Sequence, residues 1–315
     1  KVKTYKESFK FAKKVFTFLI KYERKKIITY SNKSFEMYSS IFPILVSNCI
    51  WIPLSINSPY EKIKYIISIT KPDVFFYDHL NYKVINLFKK NKIKCIKLKS
   101  LYKIREKKCS FDIAIKKLDI NSTAFIYFTS GSTGYPKGVN ITHKNIISDV
   151  FEQKNNLYNN EINNLVFGDY YDTAFSIFFD IFFPAIFFGS TLSPGINKSD
   201  NFSIYEHFKT NGVNTLVAVP SSLERIREYL SNNKIILKGK NLILTGEPFY
   251  LGLLNFIFSN LKFNKIYNCY GGTEMGNWVF FHKCSLKDLT TFKNINLVPI
   301  GRPFKKVKAQ IIKNE

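Results

Sequence analysis

The chain has 315 residues, of which 45% are hydrophobic and 17% aromatic, enough for one large domain or two lobes with cores of their own. Such a composition excludes collagenous, disordered and disulfide-scaffold proteins. Forty-seven Lys and Arg against 23 Asp and Glu leave a formal charge of +24, yet no reader motif for nucleic acid accompanies it. Lys is enriched together with Asn, Ile, Phe and Tyr, as an A/T-rich coding sequence would produce, and it clusters only in pairs such as Lys25-Lys26, Lys89-Lys90 and Lys107-Lys108. Nucleic acid is therefore not expected as a partner.

From Thr4 to Tyr22, Phe9, Phe11, Ala12, Val15, Phe16, Leu19 and Ile20 recur at helical spacing. Lys26 to Tyr30 reads as a strand, Ser34 to Ser47 as a helix, and Ile50 to Leu54 as a strand. Pro59 opens a helix through Ile69, and Val74–Tyr77 and Lys94–Leu98 are further strands. Lys103 to Ile120 is charged and irregular, a connection in character. The second half repeats the rhythm: strand Ala124–Tyr127, strand Thr215–Val219, helix Ser221–Leu230, and strands Asn241–Thr245 and Lys265–Asn268. Strands alternating with helices predict an α/β fold of parallel sheets with crossover helices.

The longest apolar stretch, Ala174 to Phe188, is broken by Asp180 and Pro184. It is shorter than the roughly 20 residues of a spanning helix, so a buried helix or strand is expected and no membrane span. Lys1 to Lys14 is basic without a following apolar run, which is not a secretory signal. Five scattered cysteines (Cys49, Cys95, Cys109, Cys269, Cys284) suit a reducing, cytoplasmic setting. His282 and Cys284 have the donor chemistry of a metal site, but two ligands alone do not make a zinc site.

The sharpest local signal is Tyr127-Phe-Thr-Ser-Gly-Ser-Thr-Gly-Tyr-Pro-Lys-Gly138. Thr129, Ser130, Ser132 and Thr133 alternate with Gly131, Gly134 and Gly138. The glycines let backbone N–H groups approach an anion. The hydroxyls add donors, and Lys137 brings a compact positive charge to phosphate oxygens. The order of residues is not that of the common P-loop, because a Pro precedes the Lys and a Val follows the last Gly. Flanking strand-like segments argue against a Ser/Gly linker.

This segment resembles the phosphate-binding signature of the adenylate-forming superfamily, closest to amino-acid adenylation domains of nonribosomal peptide synthetases and D-alanine–carrier protein ligases. Three further stretches occur in that family's order: Thr245-Gly-Glu-Pro248, Asn268-Cys-Tyr-Gly-Gly-Thr-Glu274 and Ile300-Gly-Arg-Pro303. Trp51 to Leu54 with Ser58-Pro59 is similar to an upstream segment of it. The resemblance implies a large N-terminal core of two parallel-sheet lobes packed together plus a small β region, with lobes 1–120 and 121–315. It also implies that the chain is truncated at both ends and lacks the smaller C-terminal domain, so that it adenylates poorly alone.

What the resemblance implies for chemistry is ATP-dependent activation of a carboxylic acid as its acyl-AMP, with Mg²⁺. The acyl group then passes to a carrier-protein phosphopantetheine or to coenzyme A. An acyl-CoA synthetase, an aryl or fatty acyl-AMP ligase core, or a non-catalytic nucleotide-binding relative stays open. In this reading Lys137, Thr273 and Glu274 are catalytic. The nucleotide is met by Thr129, Ser130, Gly131, Ser132, Thr133, Gly134, Lys137, Gly246, Glu247, Asn268, Tyr270, Gly271 and Thr273. Tyr270 offers a face for adenine, and Glu274 is the Mg²⁺ ligand. Asp172, Phe175, Ser176, Met275 and Gly301 are the substrate-pocket candidates, with Trp278 a plausible wall. Aligned on Asp180 and Pro184, the acidic residue that binds an amino acid's ammonium in that group falls on Phe175, or on Ser176 with a slip of one. Neither is acidic, which puts an α-amino-acid substrate in doubt.

Overall fold

Thr4 starts the first helix by accepting from Glu7 N, while the Glu7 carboxylate reaches back to Thr4 N, a capping box that satisfies two orphan donors at once. The computed structural model describes residues 2–106, 111–129, 135–195 and 201–312. Its contacts divide the chain into two units, Lys1–Asn145 with Asp172–Ala174, and Ile146–Tyr171 with Phe175–Glu315.

The first unit runs α1 (Tyr5–Leu19), β1 (Lys26–Tyr30), α2 (Phe35–Val46), β2 (Ile50–Leu54), α3 (Tyr60–Thr70), β3 (Val74–Tyr77), α4 (Tyr82–Lys90), β4 (Lys94–Lys97), α5 (Phe111–Lys117), β5 (Thr123–Thr129) and β6 (Lys137–Thr142). Its sheet has the order β4-β3-β1-β2-β5-β6. Every pair is parallel except β5 with β6, which form an antiparallel hairpin. The strands are nearly continuous apolar runs because helices cover them. Phe75 and Phe88 stack at 3.6 Å between β3 and α4. Trp51 is fully buried and donates its indole N–H to Thr29 Oγ1 at 2.9 Å.

α6 (His143–Gln153) begins in the first unit and ends in the second. There follow β7 (Val166–Asp169), α7 (Ile177–Phe187), β8 (Thr191–Pro194), α8 (Asn201–Thr210), β9 (Thr215–Ala218), α9 (Pro220–Asn232), β10 (Lys238–Thr245), α10 (Leu251–Asn260), β11 (Lys262–Gly272), β12 (Asn277–Lys283), α11 (Asp288–Thr291) and β13 (Arg302–Pro303). The second sheet is ordered β13-β12-β11-β10-β9-β7-β8. It is parallel from β8 to β11, and β12 and β13 add antiparallel.

The fold class is thus α/β with two sheets, each mixed rather than purely parallel. The division falls at 145/146 and not at 120/121, because the β5–β6 hairpin pairs onto β2 and so belongs to the first sheet. Between Lys103 and Ile120 the structure holds α5, whose Phe111 packs against Phe16 at 4.5 Å. The long apolar stretch is the buried helix α7. No described helix is long and apolar enough to cross a membrane.

Candidate active site

In the second unit β9, β10 and β11 end in register, with Ala218 beside Leu244 and Thr245 beside Cys269. The carboxyl ends of parallel strands are where α/β sheets bind ligands. Beyond these ends lies a cavity of about 500 Å³, lined by Val219, Ser221 and Ser222 after β9, by Thr245, Gly246 and Glu247 after β10, and by Gly271 and Gly272 at the end of β11. Its remaining wall comes from Tyr171, Phe175, Ser176, Ile177 and Asp180, from Arg225, and from Asn277 and Trp278.

Two of the sequence motifs therefore meet here with the aromatic segment. Gly246 takes φ +82°, a left-handed conformation that favours glycine. The next residue, Glu247, accepts from Ser221 N and Ser221 Oγ, both at 2.9 Å. Ser221 lies in the first turn of α9, so the carboxylate sits on a helix N-terminus, where the macrodipole favours negative charge. A Cβ on Gly271 would overlap the Asn277 carbonyl oxygen, so the close approach of β11 to β12 demands glycine there. The ladder shifts register at this point, between Tyr270 and Gly271, as a β-bulge does.

Other predicted residues of the second unit surround this region in different ways. Tyr270 is 46% exposed, and its ring meets Phe280 in an edge-to-face arrangement at 6.2 Å. Thr273 is buried, whereas Glu274 and Met275 are exposed on the short turn that Gly276 closes at φ +80°. Asn268 is buried and spends its amide N–H groups on Val298 O and Pro299 O, tying β11 to the segment before Gly301. Gly301 takes φ +81°, and a Cβ there would overlap the Phe281 carbonyl oxygen. Its position is thus one of backbone approach.

In the first unit Thr129 and Lys137 are ladder partners at the loop end of the β5–β6 hairpin, and Lys137 is exposed. Ser130, Gly131, Ser132, Thr133 and Gly134 lie outside the described residues. Asp172 accepts from Ser55 Oγ at 2.7 Å and from Ala174 N at 2.9 Å.

Sequence reasoning missed a buried acid pair, one member of which, Asp180, lines the cavity. Asp180 is 2% exposed, and its Oδ1 accepts from Asn277 Nδ2 at 2.7 Å and Gln153 Nε2 at 2.9 Å. Gln153 Nε2 also donates to Asp149 Oδ2 at 2.8 Å, so one amide bridges two buried carboxyl groups. Burial pushes both acids well above the ordinary carboxylate range, Asp180 being raised further by Asp149 beside it. A charged residue inside an apolar run was the available signal for Asp180. Its partner came from α6, which nothing in the run announces.

The profile of the AMP-binding enzyme family matches residues 2–315. The chain belongs to that family. Among curated proteins it is 26% identical over 290 residues to a component of the linear gramicidin synthase of Brevibacillus parabrevis, spanning 90% of this chain and 5% of that protein. It is 25% identical over 291 residues to D-alanine--D-alanyl carrier protein ligase of Lactococcus lactis subsp. lactis, with 87% of this chain and 54% of the ligase covered. The chain thus spans only part of the length of either relative. Among solved structures, the Vibrio cholerae adenylation domain AlmE in complex with glycyl-adenosine-5'-phosphate superposes with a TM-score of 0.81 at 18% identity, covering 97% of this chain and 60% of that one. That likeness shows the fold.

Proposed function

We propose that this chain activates a carboxylic acid with ATP. A carboxylate oxygen bonds to the α-phosphorus, the bond to the leaving phosphate oxygen breaks, and acyl-AMP and pyrophosphate form. The single observation that carries the reading is the cavity at the ends of β9, β10 and β11, where Gly246, Glu247, Gly271 and Gly272 share one wall system with Phe175, Ser176 and Asp180. A nucleotide and a carboxylic acid find their chemistries in one place. Family membership, and likeness to a gramicidin synthase and to a carrier protein ligase, support the same reading.

Within it, Tyr270 presents its exposed face to the purine, and the glycines let the nucleotide approach the backbone. Thr273 donates to phosphate. The exposed carboxylate of Glu274 offers the oxygen ligand that Mg²⁺ prefers. Bound there, Mg²⁺ would neutralise charge on the phosphates. In the first unit, the exposed ammonium of Lys137 at the start of β6 serves phosphate oxygens. The activated acyl group is passed to a thiol, a carrier-protein phosphopantetheine ahead of coenzyme A.

Asp180 narrows the acid. It sets beside Phe175 and Ile177 in the cavity wall a buried hydrogen-bonding group whose Oδ1 is engaged by two amides. A substrate that carries an amino or hydroxyl substituent adds a further partner for this group, and a plain fatty chain adds none. Carboxylate-dependent ATP–pyrophosphate exchange over amino, hydroxy, aryl and short fatty acids tests both levels. Exchange is expected with acids bearing such a substituent. A preference for plain fatty acids removes the role of Asp180, and silence across the panel with ATP still bound removes adenylation.

A further inference from the structure

His282 is the last residue but one of β12, and Cys284 follows two positions later, a spacing that puts both side chains on one side of an extended chain. The chain then turns and brings Asp288 back to the same place. Imidazole nitrogen, thiol sulfur and carboxylate oxygen all lie within 4.8 Å of one another. Two of the three residues are deeply placed, Cys284 at 8% and Asp288 at 6% exposure, and the His282 side chain at 21% leaves one approach from solvent. His282 Nε2 and Asp288 Oδ2 already stand 2.9 Å apart, and Ser285 N donates to the same carboxylate oxygen at 2.8 Å.

We propose that His282, Cys284 and Asp288 form a zinc site, with the fourth position open to water on the His282 side. The donor set selects the metal. Mg²⁺ and Ca²⁺ call for oxygen ligands throughout, whereas one nitrogen, one sulfur and one oxygen in tetrahedral reach suit Zn²⁺. Ligand atoms around tetrahedral zinc sit about 3.5 Å apart, given Zn–N near 2.0 Å and Zn–S near 2.3 Å, so the His282–Asp288 pair opens from 2.9 Å while the wider separations, all within 4.8 Å, close by up to about 1 Å. Charge also fits: a thiolate and a carboxylate neutralise the dication in a largely buried place.

Ligation breaks the S–H bond of Cys284 and releases that proton to solvent. His282 would bind through Nε2, so the proton shared between Nε2 and Asp288 Oδ2 in the free state leaves that nitrogen, for Nδ1 or for solvent. The ion would fasten the end of β12 to the start of α11. His282 is the ladder partner of Asn268 in β11, so the fastening lies on the strand pair that carries the Asn268 to Glu274 motif. Alone in sequence, His282 and Cys284 were two ligands short of a tetrahedral shell; the fold adds the third.

The chain stripped with a chelator should take up one Zn²⁺ on dialysis, measured by elemental analysis. Loaded with Co²⁺ instead, it should show an intense thiolate-to-metal band in the near ultraviolet. Cys284→Ser should abolish that band, and it should weaken Zn²⁺ binding by at least about a hundredfold, the upper end of what even outer-shell changes cost. His282→Gln, on the solvent side, should weaken binding to a similar degree and covers the case in which the buried serine variant fails to fold. No stoichiometric ion, a Co²⁺ spectrum without the thiolate band, or wild-type affinity in both variants overturns the site.

Discussion

The two sheets share an architecture and differ in what they bury. Around the first, the core is aromatic and apolar: Phe75, Phe88, Trp51 and Tyr30 are at most 1% exposed, and the buried Trp51 indole is answered by a Thr hydroxyl on the next strand. Around the second, Asp149, Asp169, Asp180, Gln153, Asn268 and Asn277 are buried with the apolar residues. The first is built for cohesion. The second gives up some cohesion to hold polar groups in a dry place, where they act more strongly on a ligand.

Three measurements sharpen this contrast, best read by hydrogen exchange of β1 and β10 amides so that each unit reports for itself. The largest effect belongs to the apolar unit. Phe75→Ala removes a fully buried ring stacked on Phe88 and should lower protection of β1 by about 4 kcal/mol. A loss under about 1 kcal/mol would mean that the first core is no tighter than the second.

Acidification should move the two units in opposite directions. Burial holds His143 of the first unit down to about 4 from its ordinary 6.5. Its contribution is therefore complete above pH 6.5, and it is lost as pH falls toward 4, by on the order of 3 kcal/mol. Asp149 and Asp180 are raised above 3.8, so their contribution is complete below 3.8 and is lost as pH rises through their folded values. Protection of β1 should fall between pH 6.5 and 4 while that of β10 rises; parallel changes in both would break the comparison.

The smallest effect concerns Asp180 alone. Asp180→Asn keeps an acceptor for Gln153 and Asn277 and removes a buried acid, so β10 protection at pH 8 should rise by about 1–2 kcal/mol. Pyrophosphate exchange should weaken at the same time, through a higher KM for the acid. A variant that is both less stable and equally active would assign Asp180 to the core.

Much of the first unit was legible before folding. Lys26–Tyr30, Ile50–Leu54 and Val74–Tyr77 are strands to the residue, because short apolar runs between turn residues have few other uses. β12 and β13 were not read, since Asn277 to Lys283 follows the Asn268 motif directly. The reversal there is made by Gly276 and Asn277 at positive φ, φ +80° and φ +110°, not by a turn signature. Phe175, Ser176, Gly246, Glu247, Gly271 and Trp278 were named from motifs and line the cavity. What motifs could not convey were partnerships made by topology: Asp149 with Asp180 through Gln153, Glu247 with Ser221, and Asp288 with His282.

The register shift between β11 and β12 has a last consequence. Tyr270 pairs with Phe280, but Gly271 pairs with Trp278, so Val279 is the extra residue on its strand. Side chains alternate faces along a strand, so removing Val279 would even the ladder and turn Trp278 and Asn277 onto the opposite faces of β12. Asn277 and Trp278 keep their places in the cavity wall by a count of residues as much as by their own chemistry. Along this short stretch an inserted or deleted residue would disturb the site as surely as a side chain at Gly271 would.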